Sequence, residues 1–468
     1  MKIIVFHDTA GFIDPECTLA FQRLGHEVKT IRLERNPVHP DITLPYNIIE
    51  RVGEIVAFMP DLIFMVNGNG IDERGLIPRI AAVLKIPLAL WYVDRPFTLE
   101  NWNSANISPT TVIFVTDRTY VNELKSSGLN RTFFLPLATN PERFNKDEYV
   151  HIDKPLDILF VGKLERDKAN IYVNALFEKW HNRPEGFDNL FYKILSTYTK
   201  RSELSLRELA YRIASEHKIN LKFPSEETDK LFFNSIEYQA NAYHRSEVVK
   251  SLRHFGITVC GGWEWLDVVD KRHYIEEVDY FTGLLAIYKR AVINLNITRL
   301  QIRTGINQRL FDVPAADGFL LTDYRHDVEE FFEAGKEVVC YRNLEELKGH
   351  VRYYLSHPDE RMEIVRAAKD KVMRRHTYDV RMSELIRFVT LSMSDNDYSR
   401  EINSIIRSDA LYVEALNLLG AAAWENRQAG LALEFFKLSA SLSPYDQDAR
   451  KGLEVINSVI NRNRQVSA

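Results

Sequence analysis

Short, continuous apolar runs alternate with amphipathic stretches through the first third of the chain. The runs are KIIVF (2–6), DLIFMV (61–66), PLALWYV (87–93), TVIFVT (111–116) and TFFLP (132–136), and HEVKTIRL (26–33) adds another. Helix-period segments at 15–24, 48–58, 74–83 and 118–127 lie between them. Apolar strands without inside/outside alternation, separated by amphipathic helices, predict a parallel sheet covered on both faces. The pattern stops at the polar stretch TNPERFNKDEYVHIDKP (139–155), which reads as a linker.

The pattern restarts at LDILFVG (156–162). A long helical stretch follows over about 170–253. Strands resume at GITVC (256–260), AVINLN (291–296), GFLLT (318–322) and EVVCY (337–341), with helices predicted at about 281–289, 304–316, 327–333, 343–356 and 358–375. The expected organisation is an N-terminal Rossmann-like domain (1–140), a linker (141–155), a C-terminal Rossmann-like domain (156–377) with a helical insertion, a closing helix (378–398) and a helical tail (399–468). The tail segment ALNLLGAAAWENRQAGLALEFFKLSASLSP has the small and large residues of one tetratricopeptide unit. Gly420 and Ala432 permit close helix approach, Leu419 and Phe436 fill the seam, and Pro444 ends the unit. One unit cannot make a solenoid, so the tail either packs on the body or docks a partner.

Length and composition sharpen this picture. At 468 residues the chain is too long for one ordinary core. Lys and Arg total 60 against 65 Asp and Glu, a net charge of −5, which gives no general pull toward nucleic acid or anionic lipid. Cys17, Cys260 and Cys340 are widely spaced, which argues against a disulfide framework or structural zinc. The first apolar run, Ile3 to Phe6, is too short for a signal peptide, and no apolar stretch nears the ~18 residues of a membrane span. The expectation is a cytoplasmic protein.

In open α/β sheets, ligands bind beyond the carboxyl ends of the strands, so chemistry is sought there. Gly162 follows a strand and Lys163 follows the glycine. Backbone without a Cβ can approach a phosphate, and lysine supplies charge, although no full phosphate-loop motif is present. In ITRLQIRTGINQRLFDVPAADGFLLTD (297–323), Arg299, Arg303 and Arg309 precede or enter a helix whose first turn is expected to include Gly305 to Asn307. Guanidinium groups at a helix start suit a diphosphate. Asp312, farther along, is a candidate for ribose hydroxyls. Asn296 and Asn307 complete the polar donor-side set. Trp263, Trp265 and Tyr280 are candidates for a nucleobase wall, the alternative being ordinary core. In WYVDRPF (91–97), Asp94 follows a strand and is a candidate general base. His7 and Asp8 at the end of the first strand are its rivals. The NGNG turn (67–70) lies at the same sheet edge.

Residues 279–382 resemble the C-terminal half of the spore-maturation CgeB-like glycosyltransferases, within the broader GT-B group and similar to glycosyl transferases family 1. The matching pieces are INLNIT, the R-x-F-D segment (Arg309, Phe311, Asp312), GFLLTD, FEAGKEVV, the YYL-x-HP-x-ER block and HTY-x-x-R. A looser likeness extends over about 1–390, notably Trp91 to Asp94. The resemblance implies a bacterial enzyme of two Rossmann-like domains, a nucleoside diphosphate held mainly by the second, and catalysis in a cleft. It implies no catalytic metal, the leaving diphosphate being met by basic side chains and helix ends. The donor is expected to be a nucleoside-diphosphate sugar, UDP-sugar slightly favoured, and the acceptor a protein or glycan hydroxyl; no other cofactor is expected. Related retaining enzymes carry two glutamates near this helix. Here Asp312 stands at the second and Thr304 at the first. A GT-B-shaped sugar-nucleotide epimerase and a non-catalytic binding protein are the alternatives.

Overall fold

The computed structural model describes residues 1–8, 11–33, 48–72, 74–99, 102–145, 155–200, 204–394, 405–406 and 409–466. The chain forms two compact units. Unit 1 comprises Met1–Val115, Val121–Leu135 and Asp379–Ala468, and unit 2 comprises Thr116–Tyr120 and Pro136–Tyr378.

Unit 1 is built on β1 (Lys2–Asp8), β2 (Glu27–Leu33), β3 (Leu62–Val66), β4 (Leu88–Tyr92), β5 (Thr111–Val115) and β6 (Thr132–Phe134). They form a parallel sheet in the order β2-β1-β3-β4-β5-β6. Every residue of β3, β4 and β5 is buried, as continuous apolar runs require of strands covered on both faces. The associated helices are α1 (Ile13–Arg23), α2 (Ile48–Phe58), α3 (Leu76–Val83) and α4 (Arg118–Ser126), the last beginning within unit 2.

Unit 2 follows with α5 (Pro141–Phe144), β7 (Leu156–Val161), α6 (Arg166–Lys179), α7 (Phe187–Tyr198), α8 (Leu206–Glu216) and α9 (Glu226–Ser251). Then come β8 (Ile257–Gly261), β9 (Tyr274–Glu276), α10 (Leu284–Arg290), β10 (Ala291–Asn296) and α11 (Arg309–Ala315). It continues through β11 (Leu320–Asp323), α12 (Val328–Phe331), β12 (Val339–Tyr341), α13 (Leu344–Ser356) and α14 (Pro358–Arg375). The sheet order is β12-β11-β10-β7-β8-β9, all parallel. Of the predicted linker, residues 141–145 pack within this unit, with Phe144 fully buried against Tyr280. Its remainder at 146–154 lies outside the described residues. The predicted helical insertion is four helices, α6 to α9, with their own core around Trp180, Phe187, Phe191 and Phe232.

The chain returns to unit 1 in α15 (Tyr378–Met393), α16 (Leu411–Glu425), α17 (Ala429–Leu442) and α18 (Gln447–Val466). Phe388 of α15 stacks on Phe133, and Asp379 pairs with Arg23 at 2.5 Å. Helix α16 lies on α2 and α3, fastened by Arg79–Asp409 (2.8 Å) and Arg74–Glu414. A Cβ on Gly420 would stand 2.8 Å from the Phe436 ring, so the α16–α17 seam depends on that glycine. No helix among the described residues is long and apolar enough to cross a membrane.

Candidate functional site

Each sheet reverses its strand order at one place, and that place is where α/β folds open a crevice for ligands. In unit 1 the reversal falls between β1 and β3, and in unit 2 between β7 and β10.

At the unit 1 reversal, β1 ends in His7 and Asp8. Asp14, in the first turn of α1, accepts a hydrogen bond from His7 Nδ1 at 2.6 Å and from the Asp8 amide at 2.8 Å. In the neutral tautomer that places its proton on Nδ1, toward Asp14, the imidazole presents Nε2 as an acceptor. Asp14 is almost fully buried and His7 keeps a fifth of its side chain exposed, which separates the orienting group from the accessible one. Burial raises the Asp14 carboxyl above its ordinary value, partly opposed by His7. A Cβ at Gly11 would stand 2.4 Å from Asp14 Oδ1, so the glycine makes room for this carboxylate. Asp8 is buried and accepts from Asn69 Nδ2 at 3.0 Å. Asp94 is exposed. Asn67 donates to its Oδ2 at 2.9 Å and accepts from the Val93 and Asp94 amides. The NGNG turn thus ties the end of β4 to that of β3.

At the unit 2 reversal, β7 runs into Gly162. The Gly162 amide donates to Cys260 O at 2.9 Å, and Trp265 Nε1 donates to Gly162 O at 2.7 Å. Its missing Cβ would meet Arg309 Nη2 at 3.1 Å, so glycine lets that guanidinium lie against the backbone. Arg245 of α9 is 4% exposed and donates to Lys163 O at 2.6 Å. Arg245 and Arg309 each lie 5.8 Å over the Phe160 ring. Arg299 pairs with Glu165, whose carboxylate also lies 3.8 Å from Arg245. Burial, then Arg299, pull the Arg245 guanidinium down to about 9, with Glu165 opposing and Arg309 adding to the shift. The Nε atoms of Arg245 and Arg309 are buried with no hydrogen-bond partner among the described residues. Buried cationic donors in this state suit an anion with several acceptor oxygens. Asp312 is buried one turn into α11, with Gln308 donating to its Oδ1 at 3.1 Å. Burial pushes the Tyr288 phenol up, opposed by Arg309.

The other donor-side candidates scatter. Lys163 is exposed and pairs with Glu277 at 3.1 Å. The charge of Arg303 helps hold the Glu208 carboxyl of α8 below its ordinary value, the main cause being hydrogen bonds with Ser205. Trp263 is exposed, whereas Trp265 is fully buried. Tyr280 lies edge-on to Phe144, with Arg143 5.8 Å over its ring. Asn296 is an internal strut: it donates to Thr298 and Thr322 and accepts from Asn307 at 2.9 Å.

The helix predicted from 304 begins at Arg309 instead. Asp117, following β5, holds the backbone ahead of it. Its Oδ2 accepts the amides of Arg303 (2.7 Å), Thr304 (3.0 Å) and Gly305 (3.1 Å). Those three amides are therefore committed to a side chain inside the fold and are not offered to an anion. A Cβ on Gly305 would meet Thr116 O at 2.7 Å, which explains the glycine. The α6 start is likewise filled: Glu264 accepts the amides of Glu165 (2.9 Å) and Asp167 (2.6 Å). Side chains, more than helix ends, are what this site offers an anion.

Sequence reasoning missed Asp14, Asp117, Glu165, Arg245 and Glu264. Asp117 had the same signal as Asp94, a carboxylate just after an apolar strand. Arg245 sits three and four residues before Val248 and Val249, on a buried helical stripe where a charge is out of place. Among the described residues no group of three or more His, Cys, Asp or Glu could hold a metal ion. A groove of about 630 Å³ on the tail, lined by residues including Val413, Trp424 and Val455, contains neither histidine nor cysteine.

Residues 245–387, about a third of the chain, match the family model described as glycosyl transferase-like. That span contains Arg245, Arg299, Arg309 and Asp312. No curated protein matches the chain. Among solved structures, the chain is similar to AviGT4, a glycosyltransferase involved in avilamycin A biosynthesis, at 13% identity and TM-score 0.46, covering 84% of this chain and 98% of that one. It is similar to a glycosyltransferase from Rickettsia africae at 10% identity and TM-score 0.45, over 84% and 99% of the two chains. It is also similar to Anabaena HepE, solved with UDP-glucose, at 8% identity and TM-score 0.45, over 84% and 100%.

Proposed function

We propose that this protein is a metal-independent GT-B glycosyltransferase that moves a sugar from a nucleoside-diphosphate sugar to a hydroxyl of a protein or glycan acceptor. The observation that carries the proposal is the cluster of buried Arg245 with half-buried Arg299 and Arg309, the last lying against Gly162, at the sheet reversal of unit 2. Holding cations out of water is costly, and a bound diphosphate offsets that cost. The glycosyl transferase-like match over 245–387 supports the reading. In it, Arg309 and Arg245 meet the diphosphate, Asp312 takes the ribose and Tyr280 borders the base. His7, oriented by Asp14, takes the acceptor proton at Nε2 as the hydroxyl oxygen bonds to the anomeric carbon. The bond from that carbon to the diphosphate breaks, its electron pair leaves with the diphosphate, and the guanidinium groups receive the charge. A single displacement of this kind inverts the anomeric centre. Asp94 and Asp8, both held by asparagines, shape the acceptor side.

Three free cysteines fit a reducing cytoplasm. The C-terminal helices are read as one tetratricopeptide-like unit with its first helix spent on α2 and α3.

Calorimetric titration with UDP, GDP, ADP, CMP and dTDP, and with their sugars, tests the reading. One nucleotide should bind with micromolar affinity, and labelled sugar should reach a second molecule. Turnover of the donor into an isomer without any acceptor would instead indicate an epimerase.

A further inference from the structure

Seven non-glycine residues have positive φ among the described residues. Met59, Lys85, Lys218, Asp317 and Arg427 each follow the end of a helix, where a left-handed residue is an ordinary terminator. Asn67 opens the turn after β3. Glu165 fits neither case. With φ at 63°, it follows a strand by four residues and directly precedes α6. A non-glycine residue held there is strained and persists only where its surroundings impose it.

Glu165 does not use its carboxylate to cap α6, because Glu264 does that. Its side chain, 12% exposed, instead pairs with Arg299 and lies 3.8 Å from Arg245. Two of the three guanidinium groups of the anion site therefore already carry an internal anion. A diphosphate brings more negative charge to the same donors, and beside it the carboxylate becomes a repulsive neighbour.

Resting on the donor-site reading above, we propose that Glu165 is a resident counter-anion: it holds Arg299 and Arg245 in place while the site is empty and competes with the diphosphate for them. It thereby weakens product binding and speeds release of the nucleoside diphosphate. This makes Glu165 a positioning residue, with an effect on affinity opposite to that of a supporting contact.

The test is titration of the full chain with UDP and with inorganic pyrophosphate, comparing wild type with Glu165→Gln, Glu165→Gly and Arg299→Gln. Glycine suits the positive φ, so Glu165→Gly removes the charge and the strain together. Both Glu165 variants should bind about tenfold more tightly, and Arg299→Gln about tenfold more weakly. In turnover, both Glu165 variants should lower KM and kcat together. Affinity unchanged or weakened relative to wild type in either Glu165 variant overturns the inference alone. Failure of wild type and every variant to bind either probe overturns the donor-site reading and this inference with it.

Discussion

The carboxyl edges of the two sheets are built from opposite chemistry. In unit 1 the edge is a set of carboxylates held by an imidazole, a backbone amide and asparagines: Asp14 by His7 and the Asp8 amide, Asp8 by Asn69, Asp94 by Asn67. In unit 2 it centres on guanidinium groups, two of which share the carboxylate of Glu165. The first arrangement can orient an imidazole and accept a proton. The second can accept an anion. One topology thus carries two different chemistries, and the difference lies in the few residues that follow each strand.

The contrast breaks most sharply at His7. Replacing it with Ala should lower kcat by roughly 100- to 10,000-fold while leaving the Kd for nucleoside diphosphate unchanged. Equal loss of both would place His7 in folding, not chemistry.

Next in size is Asp117. Asp117→Ala leaves the buried Gly305 amide and the half-buried Arg303 and Thr304 amides without their acceptor, at about 1–3 kcal/mol for each group left unsatisfied. Urea unfolding should show a loss of about 3 kcal/mol or more, with unit 1 signals less affected.

Arg309→Ala should raise the donor KM by roughly 10- to 100-fold, corresponding to the ~1.5–3 kcal/mol of a charge-assisted hydrogen bond. The kcat should fall as well, because in the proposed reaction Arg309 also receives the charge that leaves with the diphosphate.

The smallest effect concerns Asp14. Its carboxyl is raised in the folded state, so the folded form favours the protonated group. That contribution is fully present below the ordinary value of 3.8 and is lost as pH rises through the raised value. Asp14→Asn removes the titration. The stability of the variant relative to wild type should therefore rise with pH across that acidic window and level off above it, as read by urea unfolding at a series of pH values. A flat difference across the window would contradict the assigned cause.

Much of the fold was legible because parallel strands covered on both faces must be continuously apolar, and all the long runs became strands. Strand β9 was not, since Tyr274–Glu276 is three residues long and lies at an edge, where burial demands little. His7, Gly162 and Arg309 could be singled out because they follow strands or open a helix locally. Arg303 could not be placed, because Asp117, far away in sequence, sets its backbone path. Arg245 was hidden for a similar reason: a single arginine in a 26-residue helix gains meaning only when Lys163 and Glu165 are brought beside it.

The most direct test is a crystal structure of the protein with its preferred nucleoside diphosphate bound. Diphosphate oxygens should lie within hydrogen-bond distance of Arg309 and Arg245, next to Gly162. A diphosphate bound elsewhere, with those two guanidinium groups contacting only protein, would contradict the assignment of this edge as the donor site.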